Sequence, residues 1–102
     1  LSPYKLTANI YIENDSSTTL ELNEIDLVAN GKTREESLTN LANDILEYAK
    51  SYYEEFNYWN SAPNRKNHLP YILKALLQDN ISDLKNTIEI KEGANIANVE
   101  RT

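Results

Sequence analysis

The chain has no cysteine and no methionine, and its 102 residues include only two glycines, three prolines and one histidine. Without cysteine there can be no disulfide, no thiol nucleophile and no thiolate metal ligand, which fits a reducing cytosol. With a single histidine, zinc would need mostly carboxylate ligands, and no carboxylates converge on it at helical spacing. No apolar run approaches the roughly 20 residues needed to cross a bilayer, and the start lacks the basic-then-apolar pattern of a signal peptide. The expected location is cytoplasmic, with no membrane partner. The chain begins Leu1-Ser2-Pro3 rather than with methionine, so a trimmed or excised fragment is the simplest expectation.

What is present describes an ordinary folded chain, 40 % hydrophobic and 25 % charged. One domain is expected over residues 1–90, with 91–102 as a flexible tail. Sixteen acidic residues against ten basic ones give a net charge of −6, which repels phosphate backbones and favours basic partners.

From Tyr4 to Glu13 the residues Leu6, Ala8, Ile10 and Ile12 fall at every second position, one face of a strand. The polar cluster from Glu13 to Ser17 predicts a turn, and Thr18 to Leu22 alternates again, completing a hairpin. After Leu22 the phase slips, because Ile25, Leu27 and Ala29 are odd-numbered where Leu20 and Leu22 are even. A bulge or short turn at Asn23-Glu24, then a short third strand, restores one buried face.

A long helix is predicted from residue 34 to about 57. Thr33 can cap it while Glu36 reaches back to the cap's amide. Leu38, Leu41, Ala42, Ile45, Ala49, Tyr52 and Phe56 then recur at three- and four-residue spacing. Residues 60–67 read as a loop. Pro70 opens a second helix through Leu77, and Asn80 with Asp83 can cap another turn or two. Ile88-Glu89-Ile90 fits either the end of that helix or a short strand. The predicted class is α+β: a small antiparallel sheet of hairpin plus short third strand, covered by one long helix and followed by one or two short helices.

Gly31-Lys32-Thr33 matches the end of a phosphate-binding loop, but the required first glycine is replaced by Asp26, a carboxylate where an anion would sit. The joint reading accounts for each residue: Gly31 permits a left-handed turn, Lys32 is solvated and Thr33 caps the helix. His68 lacks a recognisable nucleophile and orienting acid, so it reads as an ordinary loop or helix-start histidine. Adjacent acids such as Glu54-Glu55 diverge on a helix and do not form a catalytic dyad. No catalysis, metal or cofactor is expected. Tyr48, Tyr52, Tyr53, Phe56, Tyr58 and Trp59 put six aromatics within twelve residues, more than one face can bury, with Tyr71 beyond the loop. Such rings anchor interfaces.

The strand pattern from Tyr4 to Glu13, Glu21-Leu22-Asn23-Glu24 through Leu27-Val28-Ala29-Asn30, and then Gly31, Thr33, Glu35, Glu36 and Leu38 resembles the HicB-like antitoxins of bacterial type II toxin–antitoxin systems. The segment Tyr48-Ala49, Tyr52-Tyr53, Phe56, Ala62 to Lys66 and His68 to Tyr71 is similar to small RelB-like antitoxins. The resemblance implies a partial ribonuclease-H-like fold without its catalytic carboxylates. It implies a binder that neutralises a small basic toxin, typically a ribonuclease, by occlusion. Homodimerisation is expected, and DNA binding only through a segment not present here, because nothing at the C-terminus reads as a DNA-binding motif. Glu47, Tyr52, Glu55, Tyr58, Trp59 and Tyr71 are the candidate partner contacts. The alternative is a self-associating structural or regulatory domain without catalytic activity.

Overall fold

Alternation at the start of the chain produces β1 (Leu6–Ile12), with Leu6, Ala8 and Ile10 buried and Thr7, Asn9 and Tyr11 on the more open face. The structure is a computed structural model that describes residues 4–92. In the first turn Ser16 is left-handed (φ 71°) and Asp15 Oδ1 accepts the Ser17 N–H at 3.0 Å. The chain returns as β2 (Thr18–Leu22), antiparallel to β1. Residues 23–26 supply the expected irregular step as a tight turn, with Asp26 at φ 57°, so that Leu22 pairs with Leu27 at the start of β3 (Leu27–Gly31). The turn buries Ile25 completely, which resolves the phase slip. Glu24 ties it to β1, its Oε1 accepting the Thr7 N–H at 2.9 Å.

The joint after β3 differs from expectation in two details. Gly31 has no positive φ. What requires glycine is proximity: a Cβ there would lie 2.5 Å from the Ser37 nitrogen and 2.9 Å from the Glu36 carbonyl carbon. Thr33 caps α1 (Arg34–Glu54) through its side-chain oxygen, which accepts the Glu36 N–H at 3.1 Å. The Glu36 carboxylate, however, takes the N–H of Lys32, one residue before the cap. Buried Ser37 donates its hydroxyl to the Thr18 carbonyl, and Thr18 is the register partner of Gly31. The helix start is thus pressed onto the β2–β3 pair.

α1 then lays Leu41, Ala42, Ile45, Ala49 and Tyr52 over the sheet residues Leu6, Ala8, Leu20, Leu22 and Ala29. It is shorter than predicted, about 31 Å at 1.5 Å per residue. Glu55 leaves helical geometry (φ −119°, ψ 49°) while its N–H still reaches Ser51, and α2 (Phe56–Ser61) continues in a new direction. Across the break Phe56 and Trp59 both contact the Tyr52 ring, at 6.3 Å each. The expected loop therefore begins only after Ser61. It turns through Asn64 at φ 67° and tightens into a 3-10 turn over Lys66–His68.

α3 (Leu69–Leu76) has Pro70 in its first turn and buries Ile72 and Ala75. Asn80 caps α4 (Ile81–Thr87), its Oδ1 accepting the Asp83 N–H at 2.8 Å. Ile88-Glu89-Ile90 resolves to strand: β4 (Ile88–Lys91) pairs in parallel with β1. The sheet order is β3-β2-β1-β4, so the sheet is mixed rather than wholly antiparallel. The helices between β3 and β4 form the long crossover that returns the chain to the free edge of β1 in the same sense. Lys91 ends β4, and Glu92 pairs with Arg34; the rest of the expected tail lies outside the described residues.

Gly31→Ala should destabilise the domain by about 1–3 kcal/mol, because the atoms an added methyl would meet include backbone atoms of α1 that cannot swing aside. Thermal or denaturant unfolding checks it; an unchanged midpoint would remove the close approach as the reason for glycine.

Candidate functional site

The end of α1, α2 and the 3-10 turn meet in one aromatic hub. Tyr48 and Tyr52, one helical turn apart, contact edge to face at 5.9 Å. Trp59 stacks on Tyr52 at 6.3 Å and meets Tyr48 edge-on at 5.6 Å. Arg65 lies beside this pair, its guanidinium carbon 5.7 Å from the Tyr48 ring centre and 5.6 Å from that of Trp59. Its Nη1 donates to the Tyr48 hydroxyl at 3.2 Å, and the Tyr52 hydroxyl donates to its carbonyl at 2.8 Å. Arg65 therefore closes the hub through both backbone and side chain.

His68 lies beneath. It is buried, with Nδ1 2.7 Å from the Tyr48 hydroxyl and Nε2 3.8 Å from Asp26 Oδ2. Because the Tyr48 oxygen already accepts from Arg65, its own proton is free to go to Nδ1, which suits a neutral imidazole with its proton on Nε2. Burial, followed by the Arg65 charge, pushes the His68 pKa below its ordinary 6.5, with Asp26 opposing. His68 is thus enclosed, with the Tyr48 hydroxyl on one ring nitrogen and the Asp26 carboxylate near the other. Among the described residues no three His, Cys, Asp or Glu side chains converge as metal ligands.

The six candidate contacts separate. Tyr52 is wholly buried, so its proposed role as a contact is withdrawn; it packs α2 and Arg65 onto α1. Trp59 is half-buried and belongs mainly to the hub. Tyr71 is half-buried in a separate edge-to-face pair with Tyr4 at 5.6 Å, away from the hub's ring contacts. Glu47, Glu55 and Tyr58 are exposed. Two residues absent from that set share the corner, Tyr53 (70 % exposed) and Phe56 (42 %), with Tyr58 at 67 %. Helical spacing alone could have placed Tyr53 outside, since it is turned about 100° from buried Tyr52. Phe56, by contrast, continued the apolar spacing and is exposed only because the helix breaks before it.

The carboxylates around these rings are uncommitted. Glu47 and Glu54, seven residues and about two turns apart, share one face of α1. Glu47, Glu54 and Glu55 have no ion-pair partner among the described residues, although exposed Lys50 stands on the same side. Partial burial, reinforced by the Glu47 charge, raises the pKa of Asp44 above the usual carboxylate value. No helix among the described residues is long and apolar enough to cross a membrane.

The fold and this surface define a small α+β binding domain, and residues 1–90 match the PHD-like family described as "Antitoxin of toxin-antitoxin, RelE / RelB, TA system". The chain belongs to that family of antitoxins. No curated protein matches it. A crystal structure described as the antitoxin part of a candidate toxin/antitoxin system from Syntrophomonas wolfei subsp. wolfei is 38 % identical, with a TM-score of 0.80. The match covers 88 % of this chain and 64 % of that one, so this chain spans less than two thirds of its relative.

Acidification should weaken the fold through His68. The folded-state pKa lies below the unfolded 6.5, so the unfolded chain takes up a proton first as pH falls. The stability is fully present above about 6.5 and is lost as pH falls toward the folded-state value, at no more than about 1.4 kcal/mol per pH unit for one proton. Melting curves from pH 7.5 to 5 should show this slope, reduced in His68→Gln; identical slopes in both proteins would exclude His68 as the titrating group.

Proposed function

We propose that this chain is the protein-binding domain of an antitoxin that neutralises a small basic toxin, a ribonuclease in the HicB-like and RelB-like reading, by covering its surface. The observation that carries this is the outer side of the α1–α2 corner, where exposed Glu47, Glu54 and Glu55, without ion-pair partners among the described residues, accompany Tyr53, Phe56 and Tyr58. Exposed aromatic rings clustered with one sign of charge are expensive on a free surface, and both features improve on contact with a basic partner. The interface needs no reacting groups. A patch of roughly 800 Å² is a typical share for one partner. Glu47, Glu55 and Tyr58 are the direct contacts, while Trp59 holds the corner in shape and Tyr71 lies at a separate edge.

A second reading, self-association, is favoured by a different feature: Leu77, 80 % exposed, and Leu73, 51 % exposed, stand one turn apart on the outer side of α3. Sedimentation of the wild type and of Leu73→Glu/Leu77→Glu tests whether this face self-associates; because an antitoxin is also expected to dimerise, the second reading is favoured only where the dimer is lost in the variant and no toxin complex forms with the wild type.

Co-expression with the toxin of the same system should restore growth and yield a complex that co-elutes. Glu47→Lys/Glu55→Lys should weaken that complex at least tenfold while leaving the melting temperature within a few degrees, because both side chains are exposed. Absence of rescue and of any complex would sink the antitoxin reading; full affinity in the charge-reversed variant would move the interface elsewhere.

A further inference from the structure

Resting on the antitoxin reading, we propose that the α1–α2 corner is selective for arginine: it receives arginine side chains of the basic partner, each guanidinium held between an exposed ring and a neighbouring carboxylate. Three exposed rings, Tyr53, Phe56 and Tyr58, alternate with Glu54 and Glu55 within six residues. Two of the rings are held in place from behind. Tyr58 packs edge-on against Trp59 at 5.2 Å, and Phe56 against Tyr52 at 6.3 Å, so each is braced while much of its surface stays exposed. The two carboxylates lack ion-pair partners among the described residues.

Arginine suits this pattern better than lysine for a geometric reason. A planar guanidinium can lie on a ring face and still direct N–H groups from its edge to a carboxylate, whereas an ammonium is a compact, strongly hydrated point charge. The hub beneath already holds a guanidinium against rings, Arg65 lying 5.7 Å from the Tyr48 ring centre and 5.6 Å from that of Trp59 and donating to the Tyr48 hydroxyl. Charge selects among other occupants. Nucleic acid bases could stack on these rings, but their phosphates would face Glu54 and Glu55. A second copy would bring the same acidic corner and a net charge of −6.

The test uses the whole chain and two capped peptides of equal length and charge, one with four arginines and one with four lysines in an otherwise identical glycine-serine background. Calorimetry at low salt should show the arginine peptide binding about fivefold more tightly, with amide shifts centred on residues 53–58. Tyr53→Ala/Tyr58→Ala should abolish the preference, and Glu54→Gln/Glu55→Gln should weaken both peptides; melting curves verify that each variant is folded. Equal affinities, shifts centred elsewhere, or a preference that survives the tyrosine changes would each overturn the proposal. The toxin complex provides an independent readout. A complex unaffected by the tyrosine changes overturns the arginine ledge and leaves the antitoxin reading standing. Arginine selection without any toxin complex supports the ledge and overturns the antitoxin reading.

Discussion

Everything in this domain is arranged around the contact at Gly31, where the backbone of β3 meets the first turn of α1 with no space for a side chain. Ser37 secures the contact from the helix side by donating to the Thr18 carbonyl, on the residue opposite Gly31 in the β2–β3 ladder. With its start held there, α1 can only run across the sheet. α3 and α4 then pack against α1, and the chain reaches the far edge of β1 as a parallel strand. The sheet order follows from this geometry.

A second constraint governs the other end of the same helix. The rings of Tyr48, Tyr52 and Trp59 meet across the break at Glu55, where α2 brings Trp59 onto the two tyrosines with Arg65 beside them. The half-buried guanidinium is held against aromatic rings with Tyr48 as hydrogen-bond partner, which satisfies a charge that a purely apolar site would reject. The break also has a functional consequence. It turns Phe56 and Tyr58 outward beside Glu54 and Glu55, creating the acidic, aromatic corner from residues that covalent order merely places in a row.

The antitoxin family to which the chain belongs stands beside a surface whose charges are unevenly placed. The only histidine is enclosed in the hub. Among the described residues two basic side chains form ion pairs, Arg34 with Glu92 and Lys85 with Glu35, while the carboxylates at the corner face solvent. Charge that is neutralised near the sheet and left open at the corner gives an otherwise ordinary acidic domain a direction for binding.

Local order along the chain was enough to establish the hairpin, the third strand, the Thr33 cap, the α1 face and the Asn80 cap, because each depends on period or on contacts within four residues. Periodicity also marked Tyr52 as core, although its aromatic company suggested a contact. Four features needed distant parts of the chain in place: the proximity that demands Gly31, the break at Glu55, the joining of β4 to β1, and the division of the rings into hub and corner. Each depends on atoms far apart along the chain or on competition among rings for one buried volume. Residue spacing records which side chains can share a face; only the packed structure decides which of them that face has room to cover.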